Sequence, residues 1–262
     1  DKEACLRGTS VYFPRYAVQM LPKDLSNNLC SLRPKVNRLT LTCEMQIKAD
    51  GEIKDYSIYE SIIRSRARLT YDNVANLLDG RISSIRDPKL QSSITIMHHL
   101  AKILQRKRFQ RGALQFNFAE EIYKFDKNER MIEVNRNYQS SSMKLIEQFM
   151  LEANETVAKH CKDNGIPSIY RVHDSPDMKK LKKLQKVFHR FGIRTSMSSL
   201  NDPKKFNDIL EKIKNLSNFE QLQVLLLRSM SLAVYETNNK GHFGLAAKYY
   251  THFTSPIRRY PD

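Results

Sequence analysis

The stretch that organises the chain is its last twelve residues, 251–262, which read THFTSPIRRYPD. Ser255 followed by Pro256 predicts the N-cap and the first residue of a helix. Arg258 and Arg259 then fall in the first turn, where backbone N–H groups lack partners and the helix dipole is positive. Two guanidinium groups repel this dipole unless an anion lies between them, so the pattern indicates a phosphate or carboxylate clamp. A solvated helix start whose arginines point into water explains the same residues equally well.

The chain is strongly basic, with 44 Lys and Arg against 28 Asp and Glu in 262 residues and a formal net charge of +16. A surplus of this size favours a polyanionic partner, in the first place a nucleic acid. A lysine-rich proteome, which makes every surface basic, is the alternative explanation. The hydrophobic content of 40% is sufficient for a sizeable core.

Cysteine usage and hydropathy predict a cytoplasmic location. Cys5, Cys30, Cys43 and Cys161 are scattered without a CxxC pair, which is typical of reduced thiols. No apolar run approaches the length of a membrane span, and the charged first residues argue against a signal peptide. Because the chain opens at Asp1 without a methionine, and ends inside a predicted helix, we expect a segment truncated at both ends.

Hydrophobic periodicity predicts an α+β fold. Apolar residues alternate strictly over 39–47, a turn follows at 49–51, and 53–63 returns as a second strand, which predicts a hairpin. About six helices and several antiparallel strands, without regular βαβ alternation, predict an antiparallel or mixed sheet core flanked by helices, in one domain over residues 1–262. The other predicted elements are a hairpin at 122–134, strands at 114–118, 168–172 and 248–253, and helices that begin near Thr70, Asp87, Ser142, Ser175, Asp202 and Ser217.

Aromatic residues and arginines alternate near the start of the chain. Tyr12, Phe13 and Tyr16 lie beside Arg7 and Arg15. This arrangement is compatible with a platform on which bases stack while the arginines bind phosphates. Packing of one or two of these rings in the core is an equally ordinary outcome.

No catalytic constellation is evident from the residues themselves. Ser, His and Asp occur together in VHDSPD (172–177), but nothing fixes their geometry. The acidic residues do not cluster as a two-metal site requires. Glu147 and Asn154 are seven residues apart and therefore share one side of a predicted helix, where the carboxylate faces either water or a cleft.

Five motifs carry a resemblance to a known family. They are RGTSVYFP (7–14), MLPKDLSNNLCSL (20–32), ARLTY (67–71), HFGLA (242–246) and FTSPIRRYPD (253–262). In this order and spacing the chain resembles the RNB catalytic domain of the ribonuclease II and ribonuclease R family, and the ribonuclease R branch fits best. The resemblance implies a processive 3′-to-5′ exoribonuclease that hydrolyses single-stranded RNA to nucleoside 5′-monophosphates with magnesium ions.

The resemblance also assigns RNA-contacting residues by motif position. Tyr12 and Phe116 match the aromatic residues between which the last bases stack. Tyr71 matches a tyrosine near the scissile end that helps to set the size of the final product, and Glu147 matches a carboxylate that touches the terminal nucleotide. Stacking of this kind tolerates every base, whereas contacts with the ribose 2′-OH select RNA.

Arg258 matches the arginine beside the reacting phosphate, and Arg259 takes this role if the alignment shifts by one residue. The family's metal-binding aspartates should lie upstream of Asp1, so the resemblance implies no metal ligand set in this chain and an inactive isolated segment. Cold-shock-like and S1-like domains are expected in the full protein. A non-catalytic RNA-binding module on the same scaffold is the alternative function.

Overall fold

The computed structural model describes all 262 residues and confirms the α+β fold. The α-helices are α1 (Lys2–Arg7), α2 (Tyr71–Leu78), α3 (Pro88–Arg111), α4 (Ser141–Asp163), α5 (Met178–Arg190), α6 (Met197–Leu200), α7 (Pro203–Ile213) and α8 (Phe219–Ser229). The strands are β1 (Val11–Tyr12), β2 (Ala17–Val18), β3 (Asn37–Ile47), β4 (Ile53–Arg64), β5 (Glu120–Phe125), β6 (Met131–Asn137), β7 (Tyr170–Val172) and β8 (Val234–Glu236). They form four two-stranded antiparallel sheets, which pair β1 with β2, β3 with β4, β5 with β6, and β7 with β8.

The chain divides into two compact units, each built from separate segments. The first unit contains residues 1–104, 119–157 and 252–262, and the second contains residues 105–118 and 158–251. That residues 1–262 form one RNB-like domain stays a prediction.

The two hairpins predicted for the first unit are confirmed. β3 and β4 pair from Asn37 opposite Arg64 to Ile47 opposite Ile53, and Gly51 takes a φ of 86° in the turn between them. Only a residue without a side chain adopts this left-handed conformation at little cost. β5 and β6 form the second hairpin. Both were predictable because alternation and turn residues are local signals.

Helix α4 fixes the course of the chain near its end. Asn154 is buried, with 2% of its surface exposed, and its side-chain Oδ1 accepts hydrogen bonds from the backbone N–H groups of Phe253 (2.9 Å) and Thr254 (3.3 Å). On the same helix the Thr156 hydroxyl, which donates to the Glu152 carbonyl at 2.8 Å, contacts the sulfur of Met45 in β3 at 3.3 Å. One helix therefore holds both the β3–β4 hairpin and the segment that leads to the two arginines.

The core of the second unit is formed by helices α5–α8. Its fully buried side chains include Leu181, Phe188, Leu200, Phe206 and Leu226. Helix α7 begins where the sequence predicts, with the Asp202 carboxylate accepting from the N–H groups of Lys204 and Lys205. Helix α5 begins later than predicted, at Met178 and not at Ser175–Pro176. There the Asp177 carboxylate caps the helix, while the Ser175 carbonyl accepts a hydrogen bond from the Ser231 hydroxyl.

Three predicted elements of the second unit differ because distant residues satisfy their backbones. Residues 114–118 form no strand, since the amide side chain of Gln223 both donates to and accepts from the backbone of Asn117. The helix predicted to reach Tyr235 ends at Ser229, because residues 234–236 pair with β7, and no side chain caps its start. Residues 248–253 form no strand; the Tyr250 carbonyl accepts from Arg171 N–H, the Lys248 carbonyl accepts from the Asn239 side chain, and the Thr251 hydroxyl donates to the Ile169 carbonyl.

His173 connects three segments of the second unit in its neutral form. Its Nδ1 accepts a hydrogen bond from Gly244 N–H at 3.0 Å, so the ring proton lies on Nε2, which donates to the Ser231 carbonyl at 2.8 Å. Burial lowers the pKa of His173 below its ordinary value. The histidine of VHDSPD is therefore a structural residue that holds β7, residue 231 and residue 244 together.

We expect Asn154→Ala to destabilise the protein by about 1–3 kcal/mol, because the backbone N–H groups of Phe253 and Thr254 lose their buried acceptor. Urea unfolding of the wild type and the variant measures this change. Lys144→Ala, at an exposed position of α4, is the matched control and should stay within about 0.5 kcal/mol of the wild type. Equal stabilities of Asn154→Ala and the control would contradict the role of the amide.

We expect His173 to make the stability of the protein depend on pH. Its folded pKa lies below the unfolded value of about 6.5, so the unfolded state binds the proton more readily. The stabilisation by the neutral ring is complete above about pH 6.5 and is lost as the pH falls towards the folded pKa. Unfolding free energies at pH 7.5 and 5.5 should differ more for the wild type than for His173→Gln. The same acid-induced loss in both proteins would contradict this assignment.

Candidate active site

The segment with the two arginines forms one turn and not the predicted helix. Arg258 N–H and Arg259 N–H both donate to the Ser255 carbonyl, at 3.0 and 3.1 Å, as in the start of a helix. Arg259 then forms an antiparallel bridge with Thr9, and Tyr260 N–H donates to the Gly8 carbonyl at 2.9 Å. These bonds to the chain near α1 replace the helical hydrogen bonds that would follow.

Arg259 is committed to a structural ion pair. Its Nε and Nη2 donate to the two carboxylate oxygens of Asp262 at 2.9 and 2.8 Å, a bidentate geometry. The Asp262 side chain is fully buried, with 0% exposure, and also accepts from Ser255 N–H at 2.8 Å. A buried carboxylate requires this partner, so Arg259 cannot leave it at low cost.

Arg258 is exposed, and its backbone is held on two sides. Its carbonyl accepts from Ser10 N–H at 2.8 Å and from the Thr9 hydroxyl at 3.0 Å. The guanidinium carbon lies 5.0 Å from the centroid of the Tyr12 ring, a cation–π contact. The structure therefore brings together two of the residues that the sequence singles out, and of the two arginines it presents Arg258 to solvent.

Tyr71 is the first residue of α2 and borders a separate cavity. The Thr70 hydroxyl caps the helix by accepting from Asn73 N–H, as predicted, and the Ser142 hydroxyl of α4 donates to the Tyr71 carbonyl at 2.8 Å. The cavity measures about 380 Å³ and is lined mainly by apolar side chains, with Arg68 as its cationic group. Tyr71 is half exposed, and its carbonyl is held by the Ser142 hydroxyl.

Glu147 lies on α4 between Ser142, which contacts Tyr71, and Asn154, which holds the backbone before Arg258. It is half buried, and its Oε2 accepts from the amide of Gln139 at 2.9 Å. The preceding residue, Ile146, lines the cavity beside Tyr71, whereas Asn154, on the same side as Glu147, holds the backbone before Arg258. Ser142 and Asn154 are separated by about 18 Å along the helix axis. Helix α4 thus carries Glu147 and, through Ser142 and Asn154, fixes the backbone at Tyr71 and before Arg258.

Phe116 belongs to the second unit and packs against the core of α5–α8. Its ring stacks on Phe118, with centroids 5.7 Å apart and an interplanar angle of 14°. A contact of Phe116 with RNA stays a prediction.

Three features of the site were not predicted from the sequence. They are the two backbone hydrogen bonds to Asn154, the ion pair between Arg259 and Asp262, and a groove beside Tyr16. The spacing of three residues between Arg259 and Asp262 was a usable signal, because residues three apart on a helical turn are neighbours. Asn154 and the groove depend on segments distant in sequence.

The described residues offer no metal centre. No group of three or more His, Cys, Asp or Glu side chains is arranged to hold an ion. The carboxylates of this chain therefore do not fit a pair of magnesium ions, which requires several oxygen ligands. None of the helices combines the length and apolar character needed to cross a membrane.

Comparisons with known proteins place these observations in a family. Ribonuclease R 1 of Lactococcus lactis is 43% identical over the whole chain, and ribonuclease R of Escherichia coli is 38% identical; the chain spans 32% of the length of each. The solved structure of Mycoplasma genitalium RNase R superposes with a TM-score of 0.94 at 33% identity, covering 100% of this chain and 41% of that one. The same enzyme has been solved in complex with ribose-methylated single-stranded RNA.

The profile of the RNB domain matches residues 1–262 without a gap at either end. The fold, the order of the five motifs and the similarity to ribonuclease R all agree with this match. The chain belongs to the RNB domain family.

Proposed function

We propose that this chain is the part of a processive 3′-to-5′ exoribonuclease that receives the 3′ end of single-stranded RNA and releases nucleoside 5′-monophosphates. The observation that carries the proposal is that the two neighbouring arginines have different partners and different exposure to solvent. Arg259 is locked to buried Asp262, while Arg258 is exposed, with its backbone fixed and its guanidinium over Tyr12. The relatives named ribonuclease R, about a third of whose length the chain spans, support the same reaction.

Arg258 is the group that stabilises the transition state in this proposal. Hydrolysis of a phosphodiester increases the negative charge on the oxygens of the reacting phosphate. A guanidinium offers a planar set of N–H donors that fits two of these oxygens at once. Because its backbone is held by Ser10 and Thr9, little reorganisation is needed when this charge develops.

Aromatic stacking explains how the enzyme accepts every base. One face of the Tyr12 ring carries the Arg258 guanidinium, so a base stacks on the opposite face. Tyr71 at the edge of the apolar cavity and Phe116 are the other proposed stacking residues. Glu147, whose carboxylate accepts from Gln139, is proposed to accept a further hydrogen bond from a ribose hydroxyl of the terminal nucleotide.

Mg²⁺ is the proposed cofactor, and its ligands are proposed to lie outside residues 1–262. The carboxylates of this chain do not form a metal-binding group. The isolated chain is therefore expected to bind RNA weakly and to cleave nothing, and a burst of mononucleotides from it would contradict this placement. We further propose a cytoplasmic location, with which four free cysteines agree, and flanking cold-shock-like and S1-like domains that guide the strand.

The decisive experiment uses the full-length protein and 5′-labelled single-stranded RNA, with and without Mg²⁺, followed by sizing of the products. A processive 3′-to-5′ enzyme leaves intact substrate and one short labelled end product, with few intermediate lengths. Binding without any degradation in Mg²⁺ would favour the alternative, a non-catalytic RNA-binding module.

In the full-length enzyme, Arg258→Ala should lower turnover by about 2–4 kcal/mol of transition-state stabilisation, or about 30- to 1,000-fold, with a much smaller loss of RNA affinity. Single-turnover rates and dissociation constants without metal separate the two effects. The adjacent Arg259→Ala is the matched comparison. It should lower the unfolding temperature instead, because it leaves Asp262 buried and unpaired. Equal losses of affinity and turnover in Arg258→Ala would refute its assigned role.

Tyr71→Ala in the full-length enzyme should change the length of the final labelled product, because the stacking ring at the mouth of the cavity is removed. Gel or mass-spectrometric sizing of the end product measures this. Tyr71→Phe keeps the ring and should leave the end product as in the wild type. The same end product from Tyr71→Ala and the wild type would remove Tyr71 from the site.

A further inference from the structure

The first unit contains a second aromatic site that the proposed function does not use. Phe13, Pro14, Arg15 and Tyr16 of the β1–β2 turn enclose, with Phe125 and Glu129 of the β5–β6 hairpin, a groove of about 450 Å³. We call this set of six residues the hairpin groove. Its volume is sufficient for one nucleobase, and it is open to solvent.

Two rings at the groove are presented as a preformed stack. Phe13 N–H donates to the Tyr16 carbonyl at 2.8 Å and closes the turn that contains Pro14. The rings of Phe13 and Tyr16 are stacked, with centroids 4.8 Å apart and an interplanar angle of 22°. The two residues are nevertheless 47% and 63% exposed. Because the turn is closed and the exposed rings are already stacked, the site is pre-organised for a planar ligand.

The two charged residues of the hairpin groove, Arg15 and Glu129, form an ion pair with each other. Arg15 Nη1 lies 2.7 Å from the Glu129 carboxylate, and its guanidinium carbon lies 5.5 Å from the centroid of the Phe125 ring. The positive charge of Arg15 is therefore already paired, so the groove offers flat apolar and π surfaces more than a free cation. This composition fits a base better than a phosphate.

The groove is separate from the site at Arg258. Tyr12 is the last residue of β1, whereas Phe13 lies in the turn that its N–H closes on the Tyr16 carbonyl. Tyr12 carries the Arg258 guanidinium, whereas Phe13 carries Tyr16. A nucleotide at the reacting phosphate does not occupy the hairpin groove.

We propose that the hairpin groove binds an unpaired nucleobase of the RNA substrate on the 5′ side of the residues engaged at Arg258, with the base stacked on Tyr16. This inference rests on the proposed function, which supplies single-stranded RNA as the ligand. The net charge of +16 concentrates RNA at the surface, and the exposed stack then selects an unpaired base from it. The contact increases the number of RNA nucleotides that the protein binds, and it does not depend on the base sequence.

The test measures binding of single-stranded RNAs of increasing length to the full-length protein without divalent metal, by fluorescence anisotropy. Tyr16→Ala should weaken binding of long strands about 5- to 150-fold and leave the shortest bound strands unaffected. Tyr16→Phe should bind as the wild type, whereas Tyr16→Leu, apolar but not aromatic, should behave as Tyr16→Ala. Tyr123→Ala, at another exposed ring of the β5–β6 hairpin, is the matched control and should not change affinity.

Salt dependence and base fluorescence separate stacking from a phosphate contact. Loss of a stacked base should leave the slope of log affinity against log salt unchanged, whereas loss of one phosphate contact reduces it by about 0.7. 2-Aminopurine placed along the strand should be quenched at one upstream position in the wild type but not in Tyr16→Ala. Wild-type affinity of Tyr16→Ala at every length, or a reduced salt slope, would overturn the inference.

The two proposals fail in different ways. If the wild-type protein degrades single-stranded RNA but Tyr16→Ala binds every length as tightly as the wild type, only the groove assignment is wrong. If the wild-type protein neither binds nor degrades RNA, the proposed function itself fails, and the groove inference falls with it.

Discussion

The site depends on the side chain of Asn154, whose Oδ1 accepts hydrogen bonds from two backbone N–H groups. Asn154 is buried on helix α4, and its side chain determines where Phe253 and Thr254 run. Four residues later the chain presents Arg258, whose carbonyl is fixed by Ser10 and Thr9. Neutral hydrogen bonds thereby fix the backbone of Arg258, and the Tyr12 ring contacts its guanidinium. Such pre-organisation is what electrostatic stabilisation of a transition state requires.

The β1–β2 hairpin carries two aromatic contacts in succession. Tyr12, the last residue of β1, supports the Arg258 guanidinium, and Phe13, the first residue of the turn, stacks on Tyr16. The two neighbouring rings therefore have different partners. If both contacts serve RNA binding, one short turn relates the reacting end of the strand to a nucleotide further along it. The distance between the two contacts is then set by the covalent geometry of the hairpin.

Local signals in the sequence were sufficient for much of the fold. The β3–β4 hairpin and the Thr70 and Asp202 caps were predictable because each depends on residues within a few positions. The strand predicted at 114–118 was wrong because Gln223, more than a hundred residues away, binds that backbone. The sequence motifs name Arg258 and Tyr71 as site residues, and their contacts with RNA stay predictions. The different roles of Arg258, which is exposed, and Arg259, which is in an ion pair, were not predictable from the sequence. They depend on Thr9 and on burial of Asp262.

The lock between Arg259 and Asp262 has a consequence for how the protein is dissected. A chain cut before Asp262 loses the buried carboxylate that binds the Arg259 guanidinium through two hydrogen bonds. The bidentate ion pair that separates the role of Arg259 from that of Arg258 would then be missing. Neighbouring identical residues are thus not interchangeable here: a boundary drawn before Asp262 removes the ion-pair partner of Arg259, even though both arginines are retained.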